Sequence, residues 1–343
     1  MARLRKWLLA GAALVVLALS ATAIAGYLAW RTLDSPLDVP GERVLLEVPS
    51  GSPLHRVSEE LARRDMLEHP RVLTWYAGLT GDARRIHAGE YELRPGMTPR
   101  DLLGKLVSGQ VYMHQLTVVE GWRYADLRRQ LNAHEAVAAS GLDDEELMAR
   151  LGSPGLHPEG QFLPDTYRFP KGTSDVELLR LAHDALRQRL AEAWESRAPD
   201  LEVTTPYEAL TLASIIEKET ALASERRLIS GVFHERLRRG MRLQTDPTVI
   251  YGLGETFDGD LRRRDLTTDT PYNTYTRRGL PPTPIALPSA ASIDAAVEPE
   301  RSGALYFVAT GLPDGSHVFS ETLEEHNRAV RRYLDRLRDV SGQ

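Results

Sequence analysis

The 343-residue chain contains no cysteine. That excludes disulfides, thiolate nucleophiles and Cys-ligated zinc. It is compatible with an oxidising compartment without requiring one. Nor is there an excess of basic residues: 42 Lys and Arg stand against 48 Asp and Glu, a net charge of −6. No polyanion, nucleic acid in particular, is therefore expected as the main partner. The ten histidines show no H-x₃-H or H-E-x-x-H spacing on a helix, so no metal is expected. His234-Glu235 and Glu325-His326 read as isolated surface pairs. There is no Gly-rich phosphate loop and no G-x-S-x-G elbow around Ser214, so neither a nucleotide nor a serine nucleophile is expected. No cofactor is anticipated.

What is present begins at the N-terminus. Arg3, Arg5 and Lys6 precede a run from Trp7 to Trp30 without a charged residue. About 20 apolar residues cross a hydrocarbon core about 30 Å thick. Trp7 at one end, and Tyr27 with Trp30 at the other, suit the two water–lipid interfaces. The preceding positive charges favour a cytoplasmic N-terminus and an exported body. A cleaved signal peptide is the rival reading, since Ala21-Thr22-Ala23 and Ala23-Ile24-Ala25 look like cleavage sites. The run is long for a signal-peptide core, which favours a retained single-pass anchor in the cytoplasmic (inner) membrane. Both readings place the body outside the cytoplasm.

The segment 1–30 is thus read as cytoplasmic stub and anchor. Residues 31–43, with two prolines and no apolar periodicity, read as a linker. Over 44–110 a strand–turn–helix pattern recurs: Val44 to Val48, a turn through Pro53, and a helical run to near Met66. Then come Tyr91 to Leu93, a turn through Pro99, and a helix from Arg100 to Val107. In both copies Ser or Thr precedes the proline, so a hydroxyl cap is expected with Pro at the first helical position. A third unit runs from Leu116 to Leu131 around Gly121. The 44–110 segment resembles LysM domains, βααβ modules that bind N-acetyl sugars. A plain α+β scaffold without ligand is the competing reading. Val176, Leu179, Ala182 and Leu186 mark an amphipathic helix over 175–197. The fold class is α+β, with 111–343 mainly helical and carrying small β elements.

The chemistry centres on one helix. Thr205, Pro206 and Glu208 form a capping-box signature ahead of ALTLASIIEKET. A second helix is expected from Ser224, as its cap, to Arg239. Leu212, Ile215, Ile216 and Glu219 fall at i, i+3, i+4 and i+7, one apolar stripe. Glu217 lies about 200° round the helix from Glu219. A carboxyl on a buried stripe is disfavoured in its ionised form, so its pKa rises towards the range a general acid needs. Glu219 is therefore the candidate acid. Glu217 is expected to serve structure or to bond groups behind the site. An ordinary ion pair with a buried Arg would equally explain a lone glutamate.

Downstream stand Gln244-Thr245-Asp246-Pro247-Thr248, Tyr272-Asn273-Thr274-Tyr275 and Gly279-Leu280-Pro281-Pro282-Thr283-Pro284-Ile285. Amide, hydroxyl and aromatic groups together suit sugar binding, though each segment alone is only a turn. With SIIEKETALASER, GMRLQTDPTVIYGLG, YNTY, GLPPTPI, YFVATG and EEHN together, the chain resembles the YceG-like (MltG) family of endolytic murein transglycosylases over essentially its whole length. The resemblance implies a lysozyme- or transglycosylase-like catalytic domain over 111–343, with Glu219 as catalytic residue. It implies cleavage of the β-1,4 bond between N-acetylmuramic acid and N-acetylglucosamine, leaving 1,6-anhydro ends. Gln244, Thr245, Asp246, Tyr272, Asn273 and Tyr275 are then expected to line the site. The implied partners are peptidoglycan glycan strands and, given an anchor beside a glycan cutter, a peptidoglycan synthase acting on nascent strands. Asp246 and Asp165 keep a muramidase-type hydrolase open. A non-catalytic wall-binding scaffold is the third reading.

Overall fold

The computed structural model describes residues 2–341. In chain order the elements are α1 (Ala2–Asp34), β1 (Val44–Val48), α2 (Leu54–Arg63), α3 (Pro70–Thr80), β2 (Gly89–Leu93), α4 (Pro99–Ser108), β3 (Met113–Thr117), α5 (Tyr124–Ala133), α6 (Asp144–Arg150) and β4 (Thr166–Pro170). There follow α7 (Asp175–Glu195), α8 (Pro206–Glu219), α9 (Arg226–Arg238), α10 (Asp246–Leu253), α11 (Arg263–Thr267), α12 (Ala290–Val297), β5 (Tyr306–Ala309), β6 (His317–Ser320) and α13 (Leu323–Ser341). Strands β1–β2, β3–β4 and β5–β6 form three separate pairs. The chain divides into two compact units: one up to His114 together with Phe169–Lys171, the other holding Gln115–Arg168 and the chain from Gly172.

In the first unit β1 and β2 are antiparallel, with Leu46 opposite Tyr91 and Val44 opposite Leu93. Leu46, Val48, Tyr91 and Leu93 turn inward against Leu54, Val57 and Leu61 of α2, Leu73 and Ala77 of α3, and Leu102 and Leu106 of α4. The order β1-α2-α3-β2 is βααβ. Thr98 caps α4 in a capping box with Asp101. Ser52 does not cap α2: Pro53 occupies the cap position and has no hydroxyl to offer.

From Trp7 to Asp34, α1 is long and apolar enough to cross a membrane, with mean hydropathy 2.4 and none of that window buried. The side chains of Arg3 and Lys6, on which the orientation expectation leans, lie outside the described residues. The stretch 31–43 is not a free linker. The helix continues to Asp34 and stops before Pro36, which disfavours helix at the residue preceding it. Leu33, Leu37 and Val39 are buried in the first unit's core. Leu37 N–H donates to Met97 O at 2.7 Å, and Arg100 pairs with Asp34 at 2.9 Å.

The second unit is built around α8. Ala209 to Ile216 are all buried, so the helix is enclosed on every side rather than amphipathic. Its neighbours are α12 (Ile293, Ala295, Ala296, Val297), α9 (Ile229, Phe233) and α7 (Leu186). Gly231 lets α9 meet the chain after α12: a Cβ there would stand 2.0 Å from Glu300 O. Between α8 and α9 the chain is non-helical, as expected, but Ser224 does not cap α9. Glu225 takes the cap position, and its carboxylate accepts His317 N–H at 2.8 Å, tying α9 to β6. His234 is fully buried, contrary to a surface reading, with Nδ1 2.7 Å from Glu202 and Nε2 2.9 Å from Ala296 O. An imidazole can satisfy two partners in the interior, which its charged neighbour Glu235 in the sequence conceals.

Candidate active site

α8 starts where the sequence indicates. Thr205 Oγ1 accepts the Glu208 N–H at 3.1 Å, with Pro206 in the first turn. The reciprocal half of the box is shifted by one residue, since the Glu208 carboxylate accepts from Thr204 N–H at 2.6 Å and Oγ1 at 2.8 Å. The helix ends on Glu219, and Thr220 turns extended at φ −147°, ψ 138°. A carboxylate at a helix C-terminus meets the negative end of the macrodipole. Burial pushes the Glu219 carboxyl up to about 7; the Thr245 hydroxyl pulls it down, the Asp246 charge raises it and Arg236 lowers it. A group half-protonated near neutrality can both give and take a proton.

Glu219 lines a cavity of about 390 Å³. It shares the lining with Leu243, Gln244, Asp246 and Tyr275, and with Arg236, Tyr306, Phe307, Leu323 and His326. Thr245 Oγ1 donates to Glu219 Oε1. The Thr245 backbone is clamped by Thr274 and Thr248, whose hydroxyls lie 2.8 Å apart. Gln244 holds a left-handed φ of +51°, uncommon for a residue with a side chain and common at working sites. Tyr275 O–H donates to Asp246 Oδ1 at 2.6 Å. Burial pushes the Tyr275 hydroxyl up, so it stays a donor.

Of the residues singled out from sequence, Glu219, Gln244, Thr245, Asp246 and Tyr275 come together here. Asn273 and Tyr272 do not line the cavity. Asn273 is fully buried: its amide donates to Asp265, Leu266 and Thr268 carbonyls, and its Oδ1 accepts the Tyr275 N–H at 2.8 Å. It shapes the loop that presents Tyr275. Tyr272 packs edge-on against Tyr251 at 4.8 Å and bonds Thr283. Asp165 is exposed; its carboxylate accepts the N–H of its neighbour Thr166, and its backbone carbonyl accepts the Val118 N–H. Glu217 faces away from the cavity, as expected, yet into protein rather than solvent. It accepts from Ser289 N–H at 2.9 Å and Ser289 Oγ at 2.5 Å, at the start of α12.

Residues that sequence reasoning missed complete the lining. Arg236 sits inside α9 with no local signal. His326, read as a surface residue, lines the cavity because α13 folds back on β5. Its ring is held below the usual imidazole range by burial and by Arg236. A second buried carboxyl, Glu159, lies elsewhere in this unit; burial pushes it up to about 7, and it accepts the Tyr124 N–H at 2.9 Å. Among the described residues no group of three or more His, Asp or Glu is placed to hold a metal ion.

The chain is similar to known proteins. The family model described as YceG-like matches residues 46–332. An endolytic murein transglycosylase of Bacillus subtilis (strain 168) is 32% identical over 328 residues, spanning 90% of each chain. A protein of the same description from Streptococcus pneumoniae serotype 2 (strain D39) is 28% identical over 350 residues, which are 90% of this chain and 62% of that one. A crystal structure of a yceG-like protein from Listeria monocytogenes superposes with a TM-score of 0.52 at 31% identity, covering 84% of this chain and 98% of that chain. With the match running through both units and every residue of the Glu219 cavity, the chain belongs to the YceG-like family.

Proposed function

We propose that the chain is an endolytic murein transglycosylase, the activity for which its relatives are named, and that Glu219 is its acid and base. The observation that carries this is a single carboxyl lifted to about 7 in a cavity fringed by amide, hydroxyl and aromatic groups. Protonated Glu219 gives its proton to the bridging oxygen as the bond from C1 of N-acetylmuramic acid breaks. The sugar's own C6 hydroxyl then attacks C1, and Glu219, now ionised, takes that proton. Bonds and charge balance without water, and the product ends in a 1,6-anhydro ring. One carboxylate suffices because the nucleophile is tethered and oriented. Gln244 and the Tyr275–Asp246 pair orient the sugar by hydrogen bonds that strengthen as charge develops.

Asp246 supports a second reading. A carboxylate in the same cavity as the acid could activate water, as in a muramidase-type hydrolase. A single-pass anchor, a cytoplasmic N-terminus and an extracytoplasmic body are part of the proposal, supported by the apolar run from Trp7 and by Arg3, Arg5 and Lys6 ahead of it. A glycan-binding role for the LysM-like βααβ segment, and work on nascent strands beside a synthase so as to terminate elongation, belong to the same proposal. Mass spectrometry of glycan strands digested by wild type and Glu219→Gln tests it. Anhydro ends from wild type and none from the variant are expected. Reducing ends with added water would move the assignment to the hydrolase, and cleavage by neither protein would leave a wall-binding scaffold.

A further inference from the structure

The lining of the Glu219 cavity holds two groups of polar side chains. Glu219, Asp246 and Gln244 bring carboxyl and amide groups. Arg236, in the same lining, is fixed by the backbone. Its Nε–H donates to Leu305 O at 2.7 Å, and Nη1 donates to Leu243 O at 2.7 Å and Arg242 O at 3.3 Å. The Nη2 hydrogens have no acceptor among the described residues.

His326 stands beside it in the first turn of α13. Its ring stacks on Tyr306 at 5.1 Å and 24°, and the Arg236 guanidinium carbon lies 5.2 Å from the centroid of the same ring. His326 Nδ1 is sealed from solvent without a partner. A proton on Nδ1 would therefore be a buried N–H without an acceptor, and an imidazolium would add a second cation beside Arg236. Both arrangements are costly. The neutral ring carries its one proton on Nε2, which makes it a fixed donor rather than a titrating base. Arg236 and His326 thus offer two donors, Nη2 and Nε2, beside the Tyr306 hydroxyl, which can donate or accept.

We propose that the Arg236–His326 pair is the subsite for the carbonyl or carboxylate oxygen of the lactyl ether on N-acetylmuramic acid. It would thereby set which of the two alternating glycosidic bonds meets Glu219. This rests on the murein reading above. The two sugars of such a strand share their acetamido groups and C6 hydroxyls and differ by the lactyl substituent. A site that acts at every second bond must read that difference, and an acceptor oxygen is what the paired donors of Arg236 and His326 can read.

The test uses the full-length protein in detergent, purified glycan strands, and two variants. His326→Phe keeps the stack on Tyr306 and removes the donor. His326→Gln restores an N–H near the position of Nε2. Arg236 is left intact because its three backbone bonds make its loss a folding defect. Removing one neutral hydrogen bond should lower kcat/KM about tenfold for His326→Phe, mostly through KM, with His326→Gln within about threefold of wild type. On oligomers of N-acetylglucosamine alone, which lack the lactyl group, wild type and His326→Phe should bind within about twofold of one another. Unchanged murein kinetics for His326→Phe, or His326→Gln as poor as His326→Phe, would overturn the subsite. An equal loss on the lactyl-free oligomers would do the same. If His326→Phe fails to fold, ¹⁵N-histidine NMR of wild type decides: a proton on Nδ1 sinks the proposal. Wild-type cleavage is read first. Its absence would remove the murein reading and this subsite together, whereas normal wild-type cleavage with an indifferent His326→Phe removes the subsite alone.

Discussion

Replacing the Glu219 carboxyl should stabilise the fold, and by a pH-dependent amount. Glu219 has a folded-state value of about 7 because burial disfavours its charge. In the unfolded chain a glutamate titrates near 4.3. The native state therefore holds this proton more tightly than the unfolded state. The contribution of this group to stability is largest below pH 4 or so, falls as pH rises from about 4.3 through 7, and is flat above. The full penalty at pH 8 is about 4 kcal/mol, and screening in the cavity brings it to about 3 kcal/mol. Glu219→Gln keeps the shape, can still meet Thr245, and has no charge to bury. For a unit of this size about 3 kcal/mol corresponds to roughly 8 °C in Tm. Thermal melts of wild type and variant at pH 8 and pH 4.5 should thus show the variant several degrees more stable at pH 8 and close to wild type at pH 4.5. The same change should lower kcat by about 10²- to 10⁴-fold, the usual contribution of a general acid. A variant no more stable at pH 8, or equally stabilised at both pH values, would refute the claim that burial raises the carboxyl.

Three further outcomes follow from the same geometry. Thr245→Val removes the hydroxyl that favours ionised Glu219, so the alkaline limb of the kcat–pH profile should move up by about one pH unit, from roughly 1.5 kcal/mol for a bond to a charged group. Asp246→Asn removes the charge that raises Glu219, so that limb should move down by less than the Thr245→Val shift. Anhydro products should persist, whereas a hydrolase using Asp246 would lose cleavage altogether. Gly231→Ala must push the Glu300 carbonyl away from α9; denaturant melts should show a loss of about 3 kcal/mol, as for an overpacked core.

Much of this was legible in the sequence, for uneven reasons. Thr205-Pro206 gave the start of α8, because caps act within a few residues and need no tertiary partner. Glu219 rather than Glu217 is the glutamate that lines the cavity, but the stripe argument accounts for that only in part. With Ala209 to Ile216 buried on all sides, both glutamates are covered; what separates them is that Glu217 meets Ser289 while Glu219 ends the helix over a cavity. Gln244, Asp246 and Tyr275 were found as polar turns, whereas Tyr272 and Asn273 share that pattern and serve the loop instead. Arg236 and His326 were out of reach, since their meeting depends on β5 and α13 returning to α9. No local pattern encodes that return. The 31–43 stretch misled because its apolar residues are spaced for insertion into a core, without the period of helix or strand.

That insertion decides where the chain can be cut. Leu33, Leu37 and Val39 belong to the interior of the first unit, so the border of the dispensable segment lies inside α1, near Arg31, and not in a loop beyond it. A soluble form begun at residue 31 keeps all three plugs. One begun at residue 44 leaves three holes, and at about 1.5–3 kcal/mol for each buried side chain that loss is of the order of a small domain's whole stability. A protease severing the body from its helix must strike on the N-terminal side of Leu33 to release it folded.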